Sequence, residues 1–157
     1  MNYKEFKKAL ATICKKHESE QQKLYEQIED VKRMFEQRKI SEKEAWEREM
    51  KLASIIDSSK NREKLSTERL KMNFAKQDAP AEIGDIIWAT VKGSTRVMKV
   101  TEIRLAAFDY PMIKYFGVQL TLHGVPAKVQ KVAPFGGIYQ KDIISVNGEV
   151  YIYKTRE

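Results

Sequence analysis

The side chains that could carry reaction chemistry are few and scattered. Cys14, His17 and His123 are the whole complement of thiol and imidazole groups. His123 stands alone before Gly124, without the neighbouring Cys or second His that a zinc site needs. His17 lies on a helical stripe, where it reads as a solvated or hydrogen-bonded core residue. Cys14 sits beside Ile13 with no His–Asp context to activate a nucleophile, and one cysteine cannot form an internal disulfide. Asp85, Asp109 and Asp142 are separate turn acids with no pairing suited to acid–base work. The Gly-rich stretch "PFGGIYQ" at 134–140 lacks the Lys-Ser or Lys-Thr and the following helix of a phosphate loop. No catalytic residue, metal ligand or cofactor is expected, and the chain reads as a non-enzymatic binding protein.

What remains is positive charge interleaved with aromatic rings. The net charge is +7 over 157 residues, which favours nucleic acid, an anionic membrane surface or an acidic protein surface as partner. The charge is uneven. Residues 1–17 carry +4, residues 60–78 carry +3, residues 18–59 carry −3, and residues 79–157 carry +3. The cations that could form a phosphate footprint are Lys4, Lys8 and Lys15 near the start, Lys64 and Lys71 in the middle, and Lys92, Arg96, Lys99, Arg104, Lys128, Lys131 and Lys141 later. Trp88 and Tyr139 are the rings nearest these later cations in sequence. Tyr151 and Tyr153 share one strand face opposite Val150 and Ile152, and one of the two pairs must face the core.

The elements that position these groups differ between the two halves. Residues 1–79 contain no Gly and no Pro, whereas residues 80–157 hold all seven Gly and all four Pro. "QDAP" at 77–80 is a natural boundary. In the first half Tyr3, Phe6, Leu10, Ile13, His17, Leu24, Val31 and Met34 recur at spacings of three and four, the stripe of a helix packing against another helix. "RKISEKEAW" at 38–46 interrupts it. Ser41 with Glu44 forms a capping box, and Ile40 before it is a candidate staple. A first helix therefore ends near Arg38, and a second starts at 41.

If the chain folds back, facing residues sum to about 79 or 80. The polar gap at His17, Glu20 and Gln21 then meets the polar stretch "DSSKNRE" at 57–63. Ile13 would meet Leu65, Leu10 would meet Leu70, and Trp46 would pack in the hairpin. Fold-back would also bring the two basic segments together at the root of the hairpin. "KISEKEAW" resembles the turn of the short oligomerisation hairpins called SHOCT domains, which implies a turn there.

The second half carries β-branched and aromatic runs. "EIGDIIWATVKG" enters a strand directly, and "TRVMKVTEI" follows a Gly-Ser turn. "YFGVQLTLHG" alternates, "AKVQKV" is a short strand, and "DIISVNGEVYIY" is a hairpin about Asn147-Gly148. Ile87, Ala89 and Val91 supply a core face without Trp88. Five or six short strands in such a span close best as a small barrel.

The run "IGDIIWATVKG…VMKVTEI…YFGVQL…QKDII" resembles the SH3-like barrels of the KOW and Tudor type over residues 82–153. That resemblance implies a barrel used to bind nucleic acid, modified peptides or other proteins. The expected fold is thus α+β: an N-terminal antiparallel helical hairpin over 1–77 with its turn near 38–41, then an SH3-like β-barrel over 82–157.

The functional expectation is that the hairpin either self-associates, giving a homo-oligomer, or docks on a partner, while the basic barrel binds nucleic acid with little base readout. The alternative is a protein–protein adaptor or inhibitor, such as a phage structural or host-targeting protein. The longest apolar runs fall short of the roughly 18 residues of a spanning helix, and "MNYKEFKKALATICKKHE" lacks a signal-peptide core. A cytoplasmic protein with no membrane partner is expected.

Overall fold

The computed structural model describes residues 1–106, 109–128 and 137–155. Two long helices, α1 (Tyr3–Glu36) and α2 (Glu42–Lys76), precede six antiparallel strands. The fold is mixed α+β, a helical hairpin followed by a small β unit. The chain falls into two compact units, Met1–Leu70 and Lys71–Glu157. No described helix is long and apolar enough to cross a membrane.

Each helix end has a chemical cause. Asn2 caps α1: its Oδ1 accepts from the Glu5 N–H, and the Glu5 carboxylate accepts from the Asn2 N–H. At the other end Arg38 takes a left-handed conformation, φ 52°. The Lys39 N–H then reaches back to the Met34 carbonyl and the Arg38 N–H to that of Phe35. This closure is usually made by glycine; here an arginine supplies it. Ser41 opens α2 by accepting from the Glu44 N–H at 3.2 Å. The Glu44 carboxylate accepts from Arg48 instead of returning to the cap.

The two helices face each other across the anticipated polar layer. Ser59 donates to Glu20 at 3.2 Å, Arg62 donates to the same carboxylate, and Gln21 donates to Glu63 at 3.0 Å. His17 is buried among them, its Nδ1 3.6 Å from the Glu20 carboxylate. Ser59 matches the expected register, and the longer Arg62 and Glu63 reach from the following turn. Phe6, Val31, Ala45 and Ile56 are buried on the apolar stripe. Trp46 and Leu65 correct the expectation. Both are more than 60% exposed, because the 100° step of the helix carries them to the side of α2 away from Ala45, Ile56 and Ser59.

In the β unit the strands are β1 (Ile86–Val91), β2 (Ser94–Ala106), β3 (Met112–Leu120), β4 (Ile138–Tyr139), β5 (Ile143–Val146) and β6 (Glu149–Val150). Their order in the sheet is β4-β3-β2-β1-β5-β6. The turn into β2 is Lys92–Gly93, with both residues at positive φ, so Ser94 already belongs to β2. β3 begins earlier than its alternation suggests and ends at Leu120. Ala127 and Lys128 lie outside the strands, and the rest of "AKVQKV" lies outside the described residues.

This order forces the sheet to roll. β4 and β5 are joined by a single 3-10 turn, Gln140–Asp142, yet β3, β2 and β1 stand between them. Flat, the two strands would be about 19 Å apart at roughly 4.8 Å per step. The four Cα steps from Tyr139 to Ile143 span at most about 14 Å. The sheet therefore curls, helped by irregularities at Trp88/Ala89 and Val100/Glu102. Its inner face encloses one core built from Ile87, Ala89, Met98, Ile113, Tyr115 and Ile143, with Ala75 and Ala81 packed against it.

A buried polar network locks the roll. The Gln140 side chain accepts from the Ile113 N–H at 3.2 Å and donates to the Asp78 carbonyl and to the Tyr151 hydroxyl. The Tyr115 hydroxyl accepts from the Ala81 N–H at 3.4 Å, and burial pushes the Tyr115 phenol well above its ordinary range. A second clasp lies at the mouth of β1. Asp85 accepts from the Glu82 N–H and from the Asn147 side chain, and Asn147 accepts in turn from the Ile86 N–H.

Replacing Gln140 with Leu strands the Ile113 N–H and takes one donor from the Asp78 carbonyl, which keeps the Tyr151 hydroxyl; we expect a loss on the order of 2 kcal/mol in urea unfolding. The hydrogen bonds from Glu82 and Asn147 hold the Asp85 carboxyl below its ordinary value. Its contribution is therefore present above the unfolded pKa and is lost as pH falls through the lower folded one. Asp85→Asn should flatten the fall in stability of the wild type below about pH 4, measured as thermal midpoint against pH.

Candidate functional site

Strand register brings one row of charged and aromatic side chains together on the β unit. Arg104 on β2 pairs with Lys114 on β3, and Lys114 pairs with Tyr139 on β4. Phe116 follows two residues on, on the same face as Lys114, while the intervening Tyr115 points into the core. The Arg104 guanidinium stands 4.6 Å from the Phe116 ring centre. The Lys114 ammonium lies 5.4 Å from Phe116 and 4.6 Å from Tyr139. Lys141 also approaches the Tyr139 ring, at 6.0 Å. Cations and ring faces alternate across three adjacent strands, and each ring holds its cations in place electrostatically.

One glycine makes this arrangement possible. Gly137, φ +86°, precedes β4, and a Cβ there would sit 2.6 Å from the Tyr115 carbonyl oxygen. It would also lie 3.1 Å from both the Lys114 stem and the Phe116 ring. The bare backbone lets β4 close onto β3 beneath the lysine and the ring.

One acid belongs to the row. Glu102 accepts from Arg104 through both oxygens, at 2.6 and 2.9 Å. Those hydrogen bonds and the Arg104 charge hold the Glu102 carboxyl below its ordinary range, and the same bonds and the Glu102 charge hold the guanidinium above its own. An incoming anion would compete with Glu102 for Arg104.

The sequence-derived candidates distribute as follows. Tyr139 and Lys141 join the row. Trp88 and Lys99 share the outer face of β1 and β2, with Lys99 exposed and Trp88 half-buried. Arg96 is on the opposite face of β2, across from the core residue Ala89. Lys92 occupies the tight β1–β2 turn, Lys128 is exposed in the loop after β3, and Lys131 lies outside the described residues. Lys71 is half-buried near the end of α2. Lys4, Lys8 and Lys15 are exposed and fall on one face of α1, opposite Phe6, His17 and Val31. Lys64 is exposed on α2. Tyr151 is half-buried and bonded to Gln140, which leaves Val150 and Ile152 as the exposed pair.

Lys114 and Phe116 were not among the sequence candidates. Their partners are ten or more residues away, and only the β2–β3–β4 register brings them together. Among the described residues no group of His, Cys, Asp and Glu side chains could hold a metal ion. No protein-family model, curated protein or solved structure matches the chain.

Gly137→Ala should cost at least about 2 kcal/mol, from the positive φ and the clash with the Tyr115 carbonyl. Chemical denaturation measures this. A cost near zero would mean that β4 does not close against β3 as described.

Proposed function

We propose that this chain is a non-enzymatic binding protein whose β unit holds nucleic acid through its phosphates, with little base readout. The observation that supports this most is the row Arg104, Phe116, Lys114, Tyr139 and Lys141. Cations fixed beside rings lose less conformational freedom on meeting phosphates than loose surface lysines do. Ring edges between the cations offer contact to bases without distinguishing them. A single cysteine fits a reducing, cytoplasmic setting.

The exposed apolar residues of the β unit support a second reading. Val150, Ile152, Leu122 and Val125 are all largely accessible. A protein partner anchored on them would bind with little dependence on salt.

The test is fluorescence anisotropy of labelled single-stranded DNA, duplex DNA and RNA over a salt series. Affinity should fall steeply with salt. Lys114→Glu should weaken binding about tenfold or more and make the salt slope shallower by about one or two phosphates, with the fold unchanged by circular dichroism. If none of the three nucleic acids binds even at low salt, the nucleic-acid reading is wrong and the protein-partner reading takes its place.

A further inference from the structure

One face of α2 carries no packing within the hairpin. It lies on the far side of the helix from Ala45, Ile56 and Ser59, which are buried, and it runs from residue 43 to residue 68. Every residue on it is exposed. It nevertheless presents Trp46 at 63%, Met50 at 53% and Leu65 at 65% exposure. Solvent-facing tryptophan on a charged helix lacks the usual reason for its placement.

The order of residues on this face is self-complementary when reversed. Lys43 and Glu68 lie equally far from the midpoint between residues 55 and 56. So do Trp46 and Leu65, and so do Glu47 and Lys64. All six project from the same side, because their spacings of three, four and seven return to one face.

We infer that two copies of this chain pair antiparallel through this face of α2, about a two-fold axis at residues 55 and 56. Trp46 of each copy then covers Leu65 of the other. Glu47 meets Lys64 and Lys43 meets Glu68 across the interface, so each end holds a square of alternating charge. Met50 lies over Asn61, and the small side chain of Ser54 lets the helices approach at the centre. Such an interface is isologous, the form that closes as a dimer.

Charge decides the orientation. A parallel pair would set Lys43 on Lys43, Glu47 on Glu47 and Lys64 on Lys64, which is repulsive at each of these charged positions. Within one copy the Lys43–Glu47 pair is only a loose contact at 3.9 Å. Little is therefore lost when both residues turn to the second copy. The occupant that fits this face is the face itself. The inference stands apart from the nucleic-acid reading, since none of the row on the β unit takes part.

The experiment is sedimentation velocity on the full chain from low to several hundred micromolar. The expected result is a concentration-dependent dimer, weakened at least about tenfold by Trp46→Ala. Glu47→Lys and Lys64→Glu should each give monomers with unchanged helical circular dichroism. Mixing the two variants should restore a dimer, because each supplies the charge that the other needs. That recovery also excludes misfolding as the cause of the loss. A wild-type chain that stays monomeric throughout would overturn the inference. So would a dimer unmoved by all three substitutions, or charge variants whose mixture stays monomeric.

Discussion

The three residues Gln140–Asp142 set the shape of the β unit. They join strands that a flat sheet would hold farther apart than the chain can reach, so the sheet must roll. Rolling creates the enclosed face on which Tyr115, Ile113 and Ile87 lose contact with water. Gln140, inside this turn, then satisfies backbone groups of β3 and of the segment entering the unit. A polar side chain at this point is tolerated because its own amide is fully engaged, by the Ile113 N–H on one side and by the Asp78 carbonyl and Tyr151 hydroxyl on the other.

The row of cations and rings follows from the same constraint. β4 is only two residues long and could not stand against water by itself. It is held because the turn after it is anchored and because Gly137 before it lets the backbones approach. Tyr139 is thereby fixed beside Lys114, and Lys141 enters from the anchored turn. The outer surface is thus organised by closure of the inner one.

Much of the fold was legible in the sequence. The composition break, the capping box at Ser41 and the two facing polar gaps together indicate a hairpin, and Glu20 and Gln21 do meet residues 59–63. Asn147-Gly148 marks the β5–β6 turn correctly. Other features had no local signal. Arg38 closes α1 in a conformation that glycine usually announces. Trp46 and Leu65 belong to the apolar inventory but sit on the wrong side of the helix for the hairpin core, which the helical step could have revealed. The placement of Arg96 and Lys99 on opposite faces follows from strand parity alone. The pairing of Lys114 with Tyr139 does not, because β4 is too short to recognise, and that of Arg104 with Lys114 does not, because the irregularity at Val100/Glu102 resets the alignment of β2 and β3.

The chain positions of the groups that lock the roll carry a consequence for synthesis. The two helices of the hairpin, and strands β1, β2 and β3, each follow one another directly in the chain, so they can form while later residues are still being added. Gln140, Asn147 and Tyr151 instead reach back more than sixty residues to Asp78, Asp85 and Asp78. Until Tyr151 has left the ribosome the meander has an open inner face, lined by some of the most apolar side chains of the chain. The growing protein therefore carries an exposed greasy surface until β4, β5 and β6 arrive to cover it.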